Sequence, residues 1–324
     1  MAETVPPTMR ALVFEDGKLR FEAGYPVPGR PPGEARIKVT CAGLCATDLA
    51  IFNGYMDFAG VPGHEFVGVV VEADGESLTG KRVVGGINAA CMKCEVCNRG
   101  DETHCPDRTV LGIQGRDGAF AEYLLLPERT LVPVPDEVPD EAAVFSEPIA
   151  AALHILDQVT LPDSKLVAVI GDGRLGLLVA QVMANSGCTV DLYGRHPERV
   201  KHLSGSEIKH HTGRPLQDRY DLVVECSGSP DGLEAAYGAV RPLGTLVMKS
   251  TCAEPVAPNP WQVVVKEINV VGSRCGDVNK ALPELAAGRI KTGFMIEEVW
   301  TLAEAADKLN SGAATGKLKI LIKP

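Results

Sequence analysis

Four cysteines, Cys91, Cys94, Cys97 and Cys105, lie in the short segment CMKCEVCNRGDETHC. Thiolates at this C-x2-C-x2-C-x7-C spacing can form a tetrahedral shell around one Zn2+. The loop has almost no apolar residues of its own, so a metal must supply the energy that organises it. Disulfide pairing is the alternative, and the lack of a secretory signal argues against it. We predict a closed, structural zinc site with no open position for chemistry.

Three separated segments carry further candidate metal ligands. They are GLCATDL with Cys45, VPGHEFVG with His64 and Glu65, and FSEPIAAALH with Glu147. Each is a weak signal alone, because a lone cysteine or histidine is more often a core or surface residue. Beside a structural zinc loop and a nucleotide-binding pattern, they become a specific prediction. Three protein ligands would leave a catalytic metal one position for a substrate oxygen.

The segment GDGRLG predicts a dinucleotide-binding turn. It follows the apolar strand pattern LVAVI and opens a helical pattern, which is the context that makes G-x-G-x-x-G informative. Gly171 would make the tight turn, Gly173 would let a pyrophosphate approach the backbone, and Gly176 would allow close packing of helix and strand. Arg174 and Leu175 begin the helix, whose N-terminus would face the phosphates. The alternative is a glycine-rich turn that binds no nucleotide.

Hydrophobic patterns divide the chain into two kinds of architecture. In the first part, short alternating runs such as ARIKVT and EFVGVVVEA, separated by Gly and Pro, indicate an antiparallel sheet or partly closed barrel. Strand and helix patterns then alternate, which predicts a doubly wound parallel sheet, and the strand KLKILI lies near the end. We predict an α/β protein with a dinucleotide-binding domain at 150–274 inserted in a catalytic domain at 1–149 plus 275–324.

The composition excludes several classes of protein. The chain has 324 residues, 45% of them hydrophobic, which suits two domains with sizeable cores. The net charge of −10 and the pI of about 5.3 argue against a nucleic-acid partner and an anionic membrane surface. The most apolar stretch is interrupted by Asp172 and Arg174, so we predict no transmembrane helix. Ten cysteines and the absence of a signal-peptide pattern predict a cytoplasmic protein.

The motifs GLCATD, PGHEFVG, DGAFAEY and GDGRLG, the four-cysteine segment and the Glu-Pro of FSEPIAAALH together resemble the zinc-containing medium-chain dehydrogenases. This family includes alcohol, polyol and threonine dehydrogenases, and the resemblance extends from MRALVF to KLKILIKP. It implies a Rossmann domain inserted in a mainly β, GroES-like catalytic domain. It also implies reversible hydride transfer between an alcohol or polyol, or its aldehyde or ketone, and NAD(P). Relatives are homodimers or homotetramers, so we expect an oligomer.

The resemblance assigns roles to the residues around a catalytic zinc. Cys45, His64 and Glu147 would be its ligands, and Glu65 would support them or act as an alternating ligand. Glu147 stands where alcohol dehydrogenases with a Cys2His ligand set have a cysteine, as in the polyol, sugar and threonine dehydrogenases. A carboxylate ligand makes the metal shell harder and eases ligand exchange with Glu65 or water.

The GLCATD motif implies two further roles. The Thr47 hydroxyl would bond the substrate oxygen and pass its proton outward, and Asp48 would steady a zinc ligand. A threonine that caps a turn is the alternative for Thr47. Many relatives have a histidine three residues after this threonine, and here that position is Ala50. The proton must therefore leave through water, the cofactor ribose or another side chain.

The end of the second Rossmann strand bears on the choice between NAD and NADP, because NAD enzymes usually carry an acidic residue there. Asp191 falls within the strand pattern TVDLYG, and the strand end is better matched by Gly194 followed by Arg195. A glycine would leave room for a 2'-phosphate and remove a repelling carboxylate, and Arg195 could pair with that phosphate. We favour NADP, with Arg199 assisting; a solvated Arg195 with bound NAD is the alternative.

Further residues are placed beside the cofactor by the same resemblance. Cys226 should border the cofactor cleft at the end of a strand. Ser273 and Arg274 resemble the family segment near the nicotinamide. Lys319, on the last strand, is expected to reach the pyrophosphate, with an exposed terminal lysine as the alternative.

Two other functions compete with this interpretation. A catalytically silent NADP(H)-binding protein on the same fold would have lost a catalytic residue, whereas Cys45, Thr47, His64 and Glu147 are all present. A nucleic-acid zinc module would need a basic surface, and the acidic composition counts against it. Sugars, polyols, amino alcohols and aromatic alcohols all remain compatible as small-molecule substrates.

Overall fold

The computed structural model describes residues 5–75, 77–203, 207–250 and 260–324. The chain forms two compact units. The first unit comprises Met1–Glu147 and Met295–Pro324, and the second comprises Pro148–Phe294. In the described part of the chain, no helix is both long and apolar enough to cross a membrane.

The described residues form mainly strands in the first part of the chain, and strands and helices alternate after it. The strands are β1 (Thr8–Glu15), β2 (Lys18–Pro26), β3 (Glu34–Gly43), β4 (Glu65–Glu72), β5 (Arg82–Gly85), β6 (Asn88–Ala89), β7 (Thr109–Val110), β8 (Tyr123–Pro127), β9 (Leu131–Pro133), β10 (Leu166–Ile170), β11 (Thr189–Tyr193), β12 (Ile208–His211), β13 (Tyr220–Glu225), β14 (Val240–Met248), β15 (Asn269–Gly272), β16 (Ile296–Thr301) and β17 (Lys319–Lys323). The helices are α1 (Ala46–Phe52), α2 (Glu95–Asn98), α3 (Asp140–Ala143), α4 (Ser146–Leu153), α5 (Ile155–Gln158), α6 (Arg174–Asn185), α7 (Pro230–Ala239), α8 (Pro260–Lys266), α9 (Val278–Ala286) and α10 (Leu302–Asn310).

The first unit is built around a seven-stranded sheet with the order β16-β17-β3-β4-β5-β9, in which β8 also pairs with β3. All pairs of this sheet are antiparallel except β16 with β17. The last strand joins it because Leu321 and Ile322 of β17 pair with Gly43 and Ala42 of β3. The chain thus returns to the first unit after the second, which confirms the predicted insertion of one domain in the other.

The second unit contains a six-stranded parallel sheet with the order β12-β11-β10-β13-β14-β15. Its central strand β10 has the sequence LVAVI and is almost entirely buried, as expected for a strand covered on both faces. The strand order reverses between β10 and β13. Ligands of such sheets bind at this point, outside the carboxyl ends of the strands. The predicted Rossmann domain is therefore confirmed.

The second unit extends further along the chain than the sequence boundary at 275. Helix α9 is tied to α5 by Lys280, whose Nζ lies 2.5 Å from Asp157 Oδ1. Just before α9, Gly276 packs so closely on the backbone of Ala150 that an added Cβ would lie 1.9 Å from its carbonyl oxygen. These contacts keep the segment around α9 in the second unit until the chain returns to the first unit.

Candidate metal centres and nucleotide site

The sulfur atoms of the four-cysteine segment converge in the structure. Cys94 Sγ lies 3.5 Å from Cys97 Sγ and 3.8 Å from Cys105 Sγ, and Cys91 Sγ lies 4.0 Å from Cys97 Sγ. Four sulfurs bound tetrahedrally at a Zn–S distance of about 2.3 Å would be about 3.8 Å apart. The group therefore has the size and the donor set of a zinc–thiolate shell.

The local backbone brings these sulfurs together and supplies donors to them. Cys94 is the N-cap of α2 and accepts a hydrogen bond from the Cys97 backbone N–H, and Cys105 accepts one from the Cys91 N–H. The backbone N–H of Lys93 lowers the pKa of Cys91 to about 7. Burial raises the pKa of Cys97 to about 12. A Zn2+ ion would offset this effect of burial, because it binds the thiolate form.

A second group of candidate ligands forms in the first unit. One ligand atom from each of Cys45, His64 and Glu65 lies within 4.8 Å of the other two. His64 and Glu65 are buried, with 3% and 1% of their surfaces exposed, whereas Cys45 is partly exposed. Thiolate, imidazole and carboxylate all bind zinc, and three ligands leave a tetrahedral ion one open position. The group thus has the donor set of a catalytic rather than a structural metal site.

Asp48 holds two members of this group in place. Its buried carboxylate accepts a hydrogen bond from the Cys45 backbone N–H at 2.8 Å, and its other oxygen lies 3.2 Å from His64 Nδ1. If Nδ1 carries the proton of this bond, Nε2 is left to bind a metal. Burial lowers the pKa of His64, but the charges of Asp48 and Cys45 raise it more, to well above its usual value. These negatively charged neighbours favour a positive charge at His64, either a proton on the imidazole ring or a metal ion bound to it.

The turn that presents His64 is supported by the DGAF segment. Backbone N–H groups of Gly118, Ala119 and Phe120 donate to the carbonyls of 61–63 at distances between 2.6 and 3.0 Å. The approach requires glycine, because a Cβ added at Gly118 would lie 2.2 Å from the carbonyl oxygen of Gly63. The DGAFAEY motif therefore has a structural role, which is to fix the backbone that carries His64.

Glu65 is anchored by an ion pair that the sequence does not reveal. Lys319 Nζ donates to Glu65 Oε2, lies 3.4 Å from Leu44 O and sits 5.0 Å from the centre of the Phe145 ring. Both charged side chains are 1% exposed. Gly43 leaves the space they need, since an added Cβ would lie 2.5 Å from Glu65 Oε2. The expectation that Lys319 reaches a pyrophosphate is wrong, because its ammonium group is buried against Glu65.

Glu147 lies in the first turn of α4 and outside the group formed by Cys45, His64 and Glu65. Glu65 supplies the carboxylate of that group in this structure. Thr47 lies in the first turn of α1, and its Oγ1 is 3.8 Å from Cys45 Sγ. The structure therefore brings the predicted proton-transfer hydroxyl to the candidate ligands, and Glu147 is not among the side chains that meet within 4.8 Å.

The GDGRLG turn connects β10 to α6. Gly171 has a φ of +107°, and an added Cβ would lie 2.8 Å from the backbone that follows β13. At Gly176, an added Cβ would lie 1.8 Å from the Gly171 carbonyl oxygen, so the helix and the turn are in direct contact. Gly173 is the N-cap of α6, with open space above it, and Arg174 and Leu175 form the first helical turn. A pyrophosphate fits this combination of open backbone and helix N-terminus.

An acidic side chain lies at the end of β11, contrary to the sequence-based expectation. Strand β11 ends at Tyr193, and Gly194 follows it. The carboxylate of Asp172, from the glycine turn, fills this place, since a Cβ at Gly194 would lie 2.0 Å from Asp172 Cγ. Asp172 accepts a hydrogen bond from the His196 backbone N–H at 2.6 Å and lies 3.0 Å from His210 Nε2. The inference that Gly194 removes a carboxylate from this position is therefore wrong.

Basic groups surround the Asp172 carboxylate. Burial raises the pKa of Asp172, but the His196 N–H, His210 and Arg199 together bring it below its usual value. Arg199 Nη1 also donates to the Asp172 carbonyl at 3.1 Å. Arg195, directly before His196 in the chain, is exposed. The end of β11 thus meets an ionised carboxylate whose charge is compensated, and an exposed arginine follows shortly after this strand in the chain.

Four residues lie just after the strands of the second half of the sheet. Cys226 follows β13 and is buried, which raises the pKa of its thiol. Ser273 and Arg274 follow β15, which ends one residue before the predicted strand pattern does. Lys249 follows β14, and it donates to Ser273 Oγ at 3.0 Å and to the Arg274 carbonyl oxygen. Sequence reasoning missed Lys249, although a lysine at the end of the apolar run GTLVM is a visible signal.

Comparison with known proteins assigns the chain to a family. A sequence profile described as Alcohol dehydrogenase GroES-like domain matches residues 31–136, which include the four cysteines as well as Cys45, His64 and Glu65. A sorbitol dehydrogenase from Halalkalibacterium halodurans is 31% identical over 348 aligned residues, covering 98% of this chain and 99% of the relative. The chain belongs to the zinc-containing medium-chain dehydrogenase family. The predicted resemblance is thereby confirmed, and the protein is an oxidoreductase of the alcohol dehydrogenase type.

Solved structures of similar proteins share the fold of this medium-chain dehydrogenase. A zinc-binding dehydrogenase from Sinorhizobium meliloti 1021, determined with bound NADP, has a TM-score of 0.87 at 27% identity and covers 98% of this chain and 99% of its own. An alcohol dehydrogenase from Escherichia coli CFT073, determined with NADH, has a TM-score of 0.84 at 25% identity with the same coverage. These similarities confirm the predicted GroES-like and Rossmann architecture.

Proposed function

We propose that this medium-chain dehydrogenase transfers hydride reversibly between an alcohol or polyol, or the corresponding carbonyl compound, and a nicotinamide dinucleotide at a zinc site. The observation that carries the proposal is the group of Cys45, His64 and Glu65 beside the Thr47 hydroxyl. This group offers a metal three ligands and keeps one position for a substrate oxygen. The similarity to a sorbitol dehydrogenase supports polyols as the substrate class.

The residues of the chain have distinct tasks in this reaction. When bound, zinc supplies polarisation of the substrate oxygen, and the dinucleotide supplies the hydride acceptor or donor. Cys45 and His64 would hold the ion, and Asp48 would keep the imidazole in the correct orientation. Thr47 would bond the substrate oxygen and transfer its proton. Ala50 carries no titratable group, so the proton would pass from Thr47 to water or to the cofactor ribose.

The third ligand would be a carboxylate in either of two arrangements. Glu65 already lies in the ligand group, with one oxygen held by Lys319. Glu147, from the start of α4, is the ligand that the family resemblance implies, and it would replace Glu65 in an alternating arrangement. Both arrangements keep three protein ligands and one open position.

A second zinc ion, bound by the four cysteines, would be structural. Its closed shell leaves no position for substrate, so it would order the polar loop that carries it. The protein would therefore hold two zinc ions per chain, with only one in contact with the substrate.

We favour NADP(H) as the cofactor. Arg195 is exposed at the end of β11, where a 2'-phosphate would lie, and a guanidinium group can pair with it. Asp172 lies nearby, but its carboxylate is bonded to His196, is close to His210 and is approached by Arg199. Its charge is thus compensated and does not bar a phosphate. Assembly into a homodimer or homotetramer stays a prediction.

Turnover by the zinc-loaded protein tests the proposal. The protein would be mixed with NADPH or NADH and a panel of sugar aldehydes and ketones, and with the oxidised cofactors and polyols in the reverse direction. We expect oxidation of the reduced cofactor, loss of the rate after chelation and recovery after zinc is restored. Tight cofactor binding without turnover of any substrate would instead favour the catalytically silent protein.

A further inference from the structure

Lys249 is a buried lysine to which the proposed reaction gives no role. It follows the last residue of β14, and 9% of its surface is exposed. Its Nζ donates to Ser273 Oγ at 3.0 Å and to the backbone carbonyl of Arg274. Burial of an ammonium group is unfavourable unless acceptors are supplied, and here two acceptors come from the segment after the neighbouring strand.

These residues lie where a doubly wound sheet binds one half of a dinucleotide. The glycine turn after β10 marks the place of the pyrophosphate, and β10, β11 and β12 form the half that binds the adenylate. The other half is formed by β13, β14 and β15. Lys249 and Ser273 directly follow β14 and β15 at the carboxyl edge, where the second mononucleotide would lie.

The segment after β15 is fixed to β14 by both backbone and side-chain bonds. The Ser273 backbone N–H donates to Met248 O at 3.0 Å. Lys249 adds two bonds, one to the Ser273 hydroxyl and one to the carbonyl of Arg274. A segment that is ordered before a ligand arrives binds it more tightly, because less conformational entropy is lost on binding.

We propose that Lys249 is a positioning residue for the nicotinamide half of the cofactor. Its ammonium group holds Ser273 and Arg274 in the conformation that receives this half, and it has no part in binding the adenylate half. This inference rests on the proposed function, because it requires that the parallel sheet binds a nicotinamide dinucleotide.

Calorimetric titration of two ligands separates this role from a general structural one. NADPH contains both halves of the cofactor, whereas 2',5'-ADP contains only the adenylate half and the 2'-phosphate. Lys249→Met keeps most of the apolar stem and removes the ammonium group. We expect this variant to bind NADPH about tenfold more weakly, and to bind 2',5'-ADP within about twofold of the wild type.

A coupled variant sharpens the test. Ser273→Ala removes one acceptor of Lys249 and should weaken NADPH binding by a smaller factor. If the two residues act through the same bond, the double variant should lose less affinity than the product of the two single losses. Purely multiplicative losses would contradict the proposed coupling.

Each remaining outcome decides the question. Unchanged NADPH affinity in Lys249→Met, or an equal loss for NADPH and 2',5'-ADP, would overturn the positioning role. If Lys249→Met does not fold, Ser273→Ala alone must weaken NADPH and spare 2',5'-ADP, or the inference fails. If the wild type binds neither NADPH nor NADH, the proposed function itself fails, and the two failures are thereby distinguished.

Discussion

At the scale of single residues, the candidate catalytic group is held by side chains that are not among the predicted ligands. Asp48 contacts His64 and the backbone of Cys45, and Lys319 pairs with Glu65. The side chains of Asp48, His64, Lys319 and Glu65 are almost fully buried. Removing one partner of a buried ion pair leaves an uncompensated charge, so the geometry of the group depends on both partners.

Lys319→Met tests this dependence. The variant should lower the free energy of unfolding by about 3–5 kcal/mol, because Glu65 loses its buried partner. Urea titration at neutral pH measures the change. The double variant Lys319→Met/Glu65→Gln removes both charges and should recover much of the loss. A single variant as stable as the wild type would show that the pair does not stabilise the fold.

Arg195→Ala tests the assignment of the 2'-phosphate. We expect the dissociation constant for NADPH to rise about tenfold more than that for NADH, because only NADPH has the charge-assisted contact. Arg289→Ala is the control, since Arg289 is a half-exposed arginine of the same unit that pairs with Glu284 and whose carbonyl contacts Asn185 at the C-terminal end of α6. Equal losses for both cofactors in Arg195→Ala would overturn the NADP assignment.

At the scale of elements, the candidate metal ligands and the candidate nucleotide site lie on turns and loops, and close contacts with neighbouring segments hold two of these turns in place. The PGHEF turn lies against the DGAF segment through three backbone hydrogen bonds, and the GDGRLG turn lies against both α6 and the end of β13. Both contacts need glycine because no Cβ fits between the two backbones. The four-cysteine loop differs from them, since its order would come from a metal ion.

Gly118→Ala should disturb the His64 turn. Its Cβ would lie 2.2 Å from the Gly63 carbonyl oxygen, so we expect a destabilisation of about 2–4 kcal/mol and weaker zinc binding at the Cys45–His64 site. Thermal unfolding and zinc analysis after dialysis measure both effects. Gly24→Ala is the control, because nothing lies within 4 Å of its added Cβ. Full zinc retention at wild-type stability in Gly118→Ala would refute the role of this contact.

Cys94→Ser should remove the structural zinc ion. Loss of one thiolate opens the shell, and a destabilisation of about 3 kcal/mol would lower Tm by roughly 4 °C in a protein of this size. Zinc analysis should show one ion fewer per chain. Cys275→Ser, which lies outside the group, should keep the full zinc content. Cys94→Ser with unchanged zinc content would contradict the proposed shell.

The features that could be predicted from the sequence are those set by neighbouring residues. The cysteine spacing, the glycine turn and the alternating strand patterns are local, and the structure contains all three. Contacts between distant elements could not be predicted in this way. The partners Lys319 and Glu65 are separated by 254 positions in the sequence. The Asp172 carboxylate contacts Gly194 because the glycine turn and the end of β11 pack against each other. Such contacts depend on tertiary packing, which a single sequence does not display.

At the scale of the whole molecule, the candidate metal groups and the candidate nucleotide site lie in different units. The candidate metal groups lie in the unit closed by the pairing of β17 with β3, and the candidate nucleotide site lies at the carboxyl edge of the inserted parallel sheet. Hydride transfer requires both, so the loss of either group should abolish turnover and leave the other group able to bind its own ligand.

Anomalous diffraction at the zinc edge, from crystals of the zinc-loaded protein, tests most directly whether Cys45 and His64 bind a catalytic zinc ion. We predict two peaks per chain. One should be bound by Cys45, His64 and either Glu65 or Glu147, and the other should be bound by Cys91, Cys94, Cys97 and Cys105. A chain that carries zinc on the four cysteines and shows no metal density between Cys45 and His64 would contradict the proposed catalytic site.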